Sequence, residues 1–229
     1  MNNKSWSNYS EFFNTNSLIA GFTNKHFPHL PPNDRIEFAN VLELDNEQLV
    51  KPKQIHSNFI VSVNQPGEIL NVDGIISLRH DLVLSIQVAD CIPIFIYDNR
   101  NEILGLVHAG WRGISKGIIN KTVEKLSSFS SSLKNVKVIL GPSIRQCCFE
   151  IGPEVAVLFD EKYMKGGQDD RAFMDLQSYV IDTLEHLGIY RGNVLDVNKC
   201  TCCSEEYHSF RRDGDKAGRM IAMIGFKNL

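Results

Sequence analysis

Short apolar, β-branched runs separated by polar breaks dominate the first 140 residues, predicting strands over 59–63, 82–88, 92–97, 103–108 and 136–140. The break Asp98-Asn99-Arg100-Asn101 is built of turn-forming residues, so 92–108 reads as a hairpin. Beyond Gly113 the period changes. Ile114, Ile118, Ile119, Val123 and Leu126 recur at helical spacing and predict a helix over 114–128. Two more amphipathic helices are expected over 151–164 and 171–187, the second stopping near Gly188. Pro28, Pro31 and Pro32 make 24–34 a loop, and the serine-rich stretch 127–132 reads as a helix end followed by an exposed connection. Strands early and a mixture later predict an α/β or α+β fold, and with no internal repeat a single domain over residues 1–229 is expected.

Composition changes this picture little. Apolar residues at 43% and charged residues at 22% are ordinary for a globular chain, and the net charge of −3 predicts no general attraction to nucleic acid or acidic membranes. No apolar run reaches the ~18 residues of a membrane-spanning helix and the first residues contain no apolar signal segment, so a cytoplasmic protein with no membrane partner is expected. In that setting the six cysteines are expected to be reduced. Cys147-Cys148 and Cys202-Cys203 are adjacent pairs, which rarely bond to each other. Cys200-Thr201-Cys202-Cys203 has the look of half a metal knuckle without a matching second half, and is read as free thiols. His26, His29, His80 and His186 are expected at the surface.

Three short runs carry the candidate chemistry. Lys53-Gln54-Ile55-His56, Ala89-Asp90-Cys91 and His108-Ala109-Gly110-Trp111-Arg112-Gly113 each place one soft ligand at a strand end or tight turn. Two imidazoles and a thiol suit zinc or copper, and three protein ligands leave a coordination position for chemistry. The separations, 35 residues from His56 to Cys91 and 17 from Cys91 to His108, match no zinc-finger pattern. The same residues also compose a Cys–His nucleophile pair, with Cys91 as thiolate and Asp90 or Asp73 orienting the imidazole. Arg112, Arg211 and Arg212 present guanidinium forks suited to phosphate, with Gln54 a further candidate for substrate contact.

Read together, Lys53-Gln54-Ile55-His56, Asp73-Gly74-Ile75-Ile76-Ser77, Val88-Ala89-Asp90-Cys91-Ile92-Pro93, Val107-His108-Ala109-Gly110-Trp111-Arg112-Gly113, Gly141-Pro142-Ser143-Ile144 and Ser209-Phe210-Arg211-Arg212-Asp213-Gly214 resemble the YfiH family. It is also called the laccase-domain or multicopper polyphenol oxidase family. The resemblance implies a layered α/β/β/α domain related to the catalytic domain of cytotoxic necrotizing factor. It implies zinc, with copper as the alternative, on His56, Cys91 and His108. It further implies a purine nucleoside phosphorylase acting on adenosine, inosine and methylthioadenosine with phosphate, with some adenosine deamination, as a monomer or homodimer. Copper polyphenol oxidation and Cys–His hydrolysis of a cell-wall precursor peptide stand as alternatives. The Cys-Thr-Cys-Cys run departs from the family pattern, which shows Cys-Thr there, and its added thiols have no assigned role.

Overall fold

The run Ile92–Asp98 is a strand with two buried faces, and its alternation shows how the molecule is layered. Ile92, Ile94 and Ile96 point into one core while Phe95 and Tyr97 point into another. A strand covered on both sides has no polar face, which is why the sequence there is continuously apolar rather than alternating. A computed structural model describes residues 5–28, 31–129 and 132–227.

In chain order the strands are β1 (Trp6–Asn8), β2 (Leu18–Thr23), β3 (Leu49–Lys53), β4 (Ile60–Ser62), β5 (Gly67–Leu70), β6 (Gly74–Ser77), β7 (Val83–Val88), β8 (Ile92–Asp98), β9 (Ile103–Ala109), β10 (Val136–Leu140), β11 (Glu150–Ile151), β12 (Met164–Gly166), β13 (Ala172–Met174), β14 (Val194–Asp196) and β15 (Met220–Phe226). The α-helices are α1 (Asp34–Val41), α2 (Trp111–Ser115), α3 (Ile118–Ser127), α4 (Pro153–Ala156), α5 (Leu176–His186) and α6 (Phe210–Asp213).

Two mixed six-stranded sheets form the body. One runs β1-β2-β15-β7-β3-β5, the other β14-β10-β8-β9-β6-β4, and a small sheet β11-β13-β12 lies apart from them in the pairing. Phe22, Leu84 and Ile86 of the first sheet share a core with Phe95, Leu106 and Ile139 of the second, so the sheets pack face to face. The second sheet's other face is covered by α3 and α5 through Ile119, Val123, Val180 and Leu184. The first sheet's other face meets α1 through Phe38 and Ala39, beside Val83, Ile221 and Met223. This is the mixed α/β fold, in layers α/β/β/α, that the family resemblance implied.

The expected strands are all present, and β8 and β9 form the expected antiparallel hairpin with Asp98 opposite Ile103. Asp98 closes the turn by accepting from the Arg100 and Asn101 amides at 3.0 and 3.3 Å. Two helical expectations need correction. The helix over 114–128 begins earlier and is broken into α2 and α3 at Gly117, whose φ is +83°. The stretch 151–164 is not one helix: after the four residues of α4 come a 3-10 turn at Glu161–Tyr163 and β12. Its apolar residues do not hold one face, for Val157 and Leu158 are exposed while Val155 is buried. Residues 172–174 are likewise a strand, and the following helix starts only where Asp175 accepts from the Ser178 amide at 3.0 Å. Gly188, at φ +97°, follows its end as expected. Strands β2, β3 and β15 were not anticipated. Of the expected loop and serine stretch, residues 29–30 and 130–131 lie outside the described residues.

Candidate active site

Three chain segments pass from one sheet to the other on the same side of the molecule, and they carry the candidate residues. The β3–β4 crossing contains His56, the β5–β6 crossing contains Asp73, and the β7–β8 crossing contains Asp90 and Cys91. His108 is the next-to-last residue of β9, beside β8, with Pro93 as its ladder partner. Strands that end together thus bring together residues far apart in the chain.

Asp73, fully buried, organises the crossing. Its Oδ1 accepts from the His56 amide at 3.0 Å, and its Oδ2 accepts from the amide and hydroxyl of Ser57, both at 2.6 Å. The same carboxylate lies 2.8 Å from His108 Nδ1. That contact sets the tautomer and leaves Nε2 for a ligand or proton, as carboxylates do behind metal-bound histidines. Of the two orienting carboxylates considered from sequence, Asp73 has the position. Asp90 faces away: it accepts from Thr201 Oγ1 at 2.6 Å, Ser209 Oγ at 3.1 Å and the Arg211 amide at 2.6 Å.

The potential ligand atoms of His56, Cys91 and His108 all lie within 4.8 Å of one another, and the two imidazole rings meet edge to face at 4.8 Å between centroids. Two glycines make room. A Cβ on Gly110 would come within 2.8 Å of Cys91 Sγ, and one on Gly113 within 2.7 Å of the Ser57 carbonyl. The spacing of small residues after His108 therefore lets α2 approach both crossings.

Electrostatics favour a charged pair when no metal is bound. Burial alone would push the Cys91 thiol up, but the His108 and His56 rings bring it down to about 6. Burial opposes protonation of His108, yet Cys91 and Asp73 beside it raise it to about 9. Burial would also raise Asp73, but the hydrogen bonds from His108 and Ser57 hold it at about 2. The set fits a soft metal ion: a thiol already poised as thiolate, an imidazole oriented by a carboxylate, and an exposed third nitrogen on His56.

The cluster opens into a cleft of about 970 Å³ also lined by Gln54, Arg112 and Phe210. Cations not singled out in the sequence, Arg35, Lys51, Lys53 and Arg219, line it too. Lys51 and Lys53 share β3, but Arg35 lies on α1 and Arg219 just before β15, so no local pattern could have grouped the four. Gln54 is committed to the backbone: its amide donates to the Gln87 carbonyl at 2.8 Å and accepts from the Gln87 amide at 2.9 Å. Arg112 stacks on Trp111, its guanidinium carbon 4.2 Å from the ring centroid. Arg211 and Arg212 are not among the cleft residues. Arg211 donates to the Cys148 carbonyl at 2.9 Å, and Arg212 binds the carbonyls of Thr201, Cys202, Ser204 and Tyr207 and the Asp213 carboxylate.

A two-sheet α/β protein with a His–Cys–His cluster where the chain crosses between sheets is the class that this geometry defines. The chain belongs to the multi-copper polyphenol oxidoreductase laccase family, whose sequence profile matches residues 16–227. It is 32% identical over 182 residues to a purine nucleoside phosphorylase of Clostridium acetobutylicum, covering 75% of this chain and 74% of that one. It is 28% identical over 208 residues to adenosine deaminase RL5 from an unknown prokaryotic organism, covering 83% and 79%. The crystal structure of the hypothetical protein YfiH from Bacillus licheniformis superposes with a TM-score of 0.86 at 26% identity, over 92% of this chain and 93% of that one. Among the described residues no helix is long and apolar enough to cross a membrane.

Proposed function

We propose that the protein is a zinc-dependent purine nucleoside phosphorylase. It would convert adenosine, inosine or methylthioadenosine and inorganic phosphate into the free base and ribose 1-phosphate or its methylthio counterpart. The observation that carries this reading is the convergence of His56, Cys91 and His108 on a cleft with four further cationic side chains and Arg112 on its walls. The likeness to a phosphorylase and to an adenosine deaminase supports the same substrate class.

In phosphorolysis the bond between C1′ and the purine nitrogen breaks with its electron pair on the base, and positive charge develops on the sugar. A phosphate oxygen then bonds to C1′. Phosphate held against the sugar stabilises that charge and is the nucleophile, so cations that hold it contribute by position. Arg112 is suited to this because Trp111 fixes its guanidinium plane beside His108. Arg35 and Arg219 also line the cleft. Arg211 and Arg212 take positioning roles in this reading, securing the chain behind Cys91, and Gln54 shapes the wall. His56, Cys91 and His108 would hold the metal, with Asp73 fixing His108. A bound zinc ion would supply Lewis acidity, the property adenosine deamination needs to make water nucleophilic near neutral pH.

Chromatography of adenosine incubated with the zinc-loaded protein tests the reading. Adenine should form only when phosphate is present, and Cys91→Ala should lower its rate by at least about a hundredfold. Inosine formed without phosphate would report deamination. Adenosine left intact by the zinc-loaded wild-type chain would sink the proposal and direct attention to peptide hydrolysis by the Cys91–His108 pair.

A further inference from the structure

The second half that the Cys200-Thr201-Cys202-Cys203 run lacks in sequence is present in space. β10 and β14 are parallel neighbours, Leu140 opposite Asp196, so the loops leaving their C-terminal ends run side by side. One loop carries Cys147 and Cys148, the other Cys200 and Cys203. The four sulfurs all lie within 4.8 Å of one another, with Cys148 and Cys147 at 3.0 and 3.3 Å from Cys203. Cys202 is left out and packs against the core beside α5's partners.

We propose that Cys147, Cys148, Cys200 and Cys203 form a tetrathiolate site for a thiophilic divalent metal ion, zinc foremost, separate from the His56–Cys91–His108 cluster. A tetrahedral ion with bonds of about 2.3 Å separates its sulfurs by roughly 3.8 Å, within the range seen here. Four neighbouring thiolates repel one another, and a divalent cation removes that cost. The Cys200-x-x-Cys203 spacing is that of a metal loop, and the Cys203 amide lies 3.5 Å from Cys200 Sγ, the backbone-to-sulfur contact that supports a bound thiolate. Both loops are held without the ion. Arg145 makes a two-pronged ion pair with Asp196 at 2.7 and 2.8 Å, and Ser143 pairs with Cys200 as an isolated parallel bridge. A site whose ligands are prepositioned by other bonds loses less entropy when the ion binds.

Its role follows from what the loops touch. Thr201, between the ligands, donates to Asp90, the neighbour of Cys91. Arg211 donates to the Cys148 carbonyl while its own amide bonds Asp90. The ion therefore fastens, from outside, the segments that brace the β7–β8 crossing. With all four positions taken by protein sulfur it is structural rather than catalytic.

Metal quantification by mass spectrometry on the reduced, zinc-dialysed protein separates the two sites. The Cys91→Ala chain should retain one tightly held ion, and adding Cys147→Ser and Cys203→Ser to it should remove that ion. Cobalt substituted into the Cys91→Ala chain should give the sulfur-to-cobalt charge-transfer and tetrahedral ligand-field bands of a tetrathiolate. Iron in place of zinc would support the same site. A Cys91→Ala chain that holds no ion, or a ratio unmoved by the two serines, would overturn the proposal. So would a Cys148–Cys203 or Cys147–Cys203 disulfide that persists in place of metal uptake after reduction and zinc dialysis. Should the serine variants fail to fold, the cobalt spectrum of the Cys91→Ala chain decides alone. None of these readouts depends on nucleoside cleavage, so they stand apart from the proposed function.

Discussion

At the scale of single residues, the Cys91–His108 pair would govern how the proposed metal enters the first cluster. With Cys91 at about 6 and His108 at about 9, the metal-free protein at neutral pH carries a thiolate facing an imidazolium. A metal ion needs the thiolate as it is but the imidazole neutral, so His108 must give up its proton on binding. Zinc binding near pH 7.5 should therefore release about one proton from this pair. The release should fade as pH rises through about 9, where free His108 is already neutral. Asp73 is one of the groups that raise His108, so in Asp73→Asn the fading should begin at lower pH. Indicator-dye titration in weak buffer measures both, and an alkaline limb unmoved by Asp73→Asn would contradict the assigned pair. The three residues of the cluster were legible in the sequence because each sits in a short motif. The choice of Asp73 over Asp90 was not, since both carboxylates lie near a candidate ligand and only the hydrogen bonds separate them.

At the scale of elements, Asp90 holds three segments at once. It occupies a left-handed backbone position, φ +81°, that Asp and Asn tolerate better than other side chains. Asp90→Ala would leave Thr201, Ser209 and the Arg211 amide without their acceptor and add backbone strain, a loss of about 3 kcal/mol. Asp90→Asn keeps the backbone preference and one acceptor oxygen, and the Thr201 hydroxyl can turn to accept, so its cost should be about 1 kcal/mol. Urea unfolding distinguishes the two, and equal losses would mean that Asp90 acts through charge alone. The β8–β9 hairpin was legible because its turn chemistry and apolar runs agree. The 151–164 region was misread because a helical pattern over a few residues does not reveal that Gly152-Pro153 starts a helix only four residues long. β6 was not anticipated, for a four-residue buried strand offers too little sequence to show its period.

At the scale of the whole molecule, the core shared by the two sheets fixes how the crossings are presented. Phe95, fully buried, stands in that core with Tyr9 edge-on at 6.2 Å. Phe95→Ala should lower stability by about 3–5 kcal/mol while leaving the proposed nucleoside cleavage, per folded molecule, close to wild type, as denaturant unfolding beside a rate assay would show. A rate that fell in step with stability at temperatures where the chain is folded would place Phe95 in the site's own support. The sequence by itself determined the three candidate ligands, the apolar runs that become strands and the β8–β9 turn, because each is written in neighbouring residues. Only the tertiary structure decided that His56, Asp73 and Cys91 meet where the chain changes sheets, that Arg211 and Arg212 face carbonyls rather than the cleft, and that Cys147 and Cys148 lie against Cys200 and Cys203. Those outcomes depend on pairings between strands distant in the chain, whose geometry no local pattern encodes.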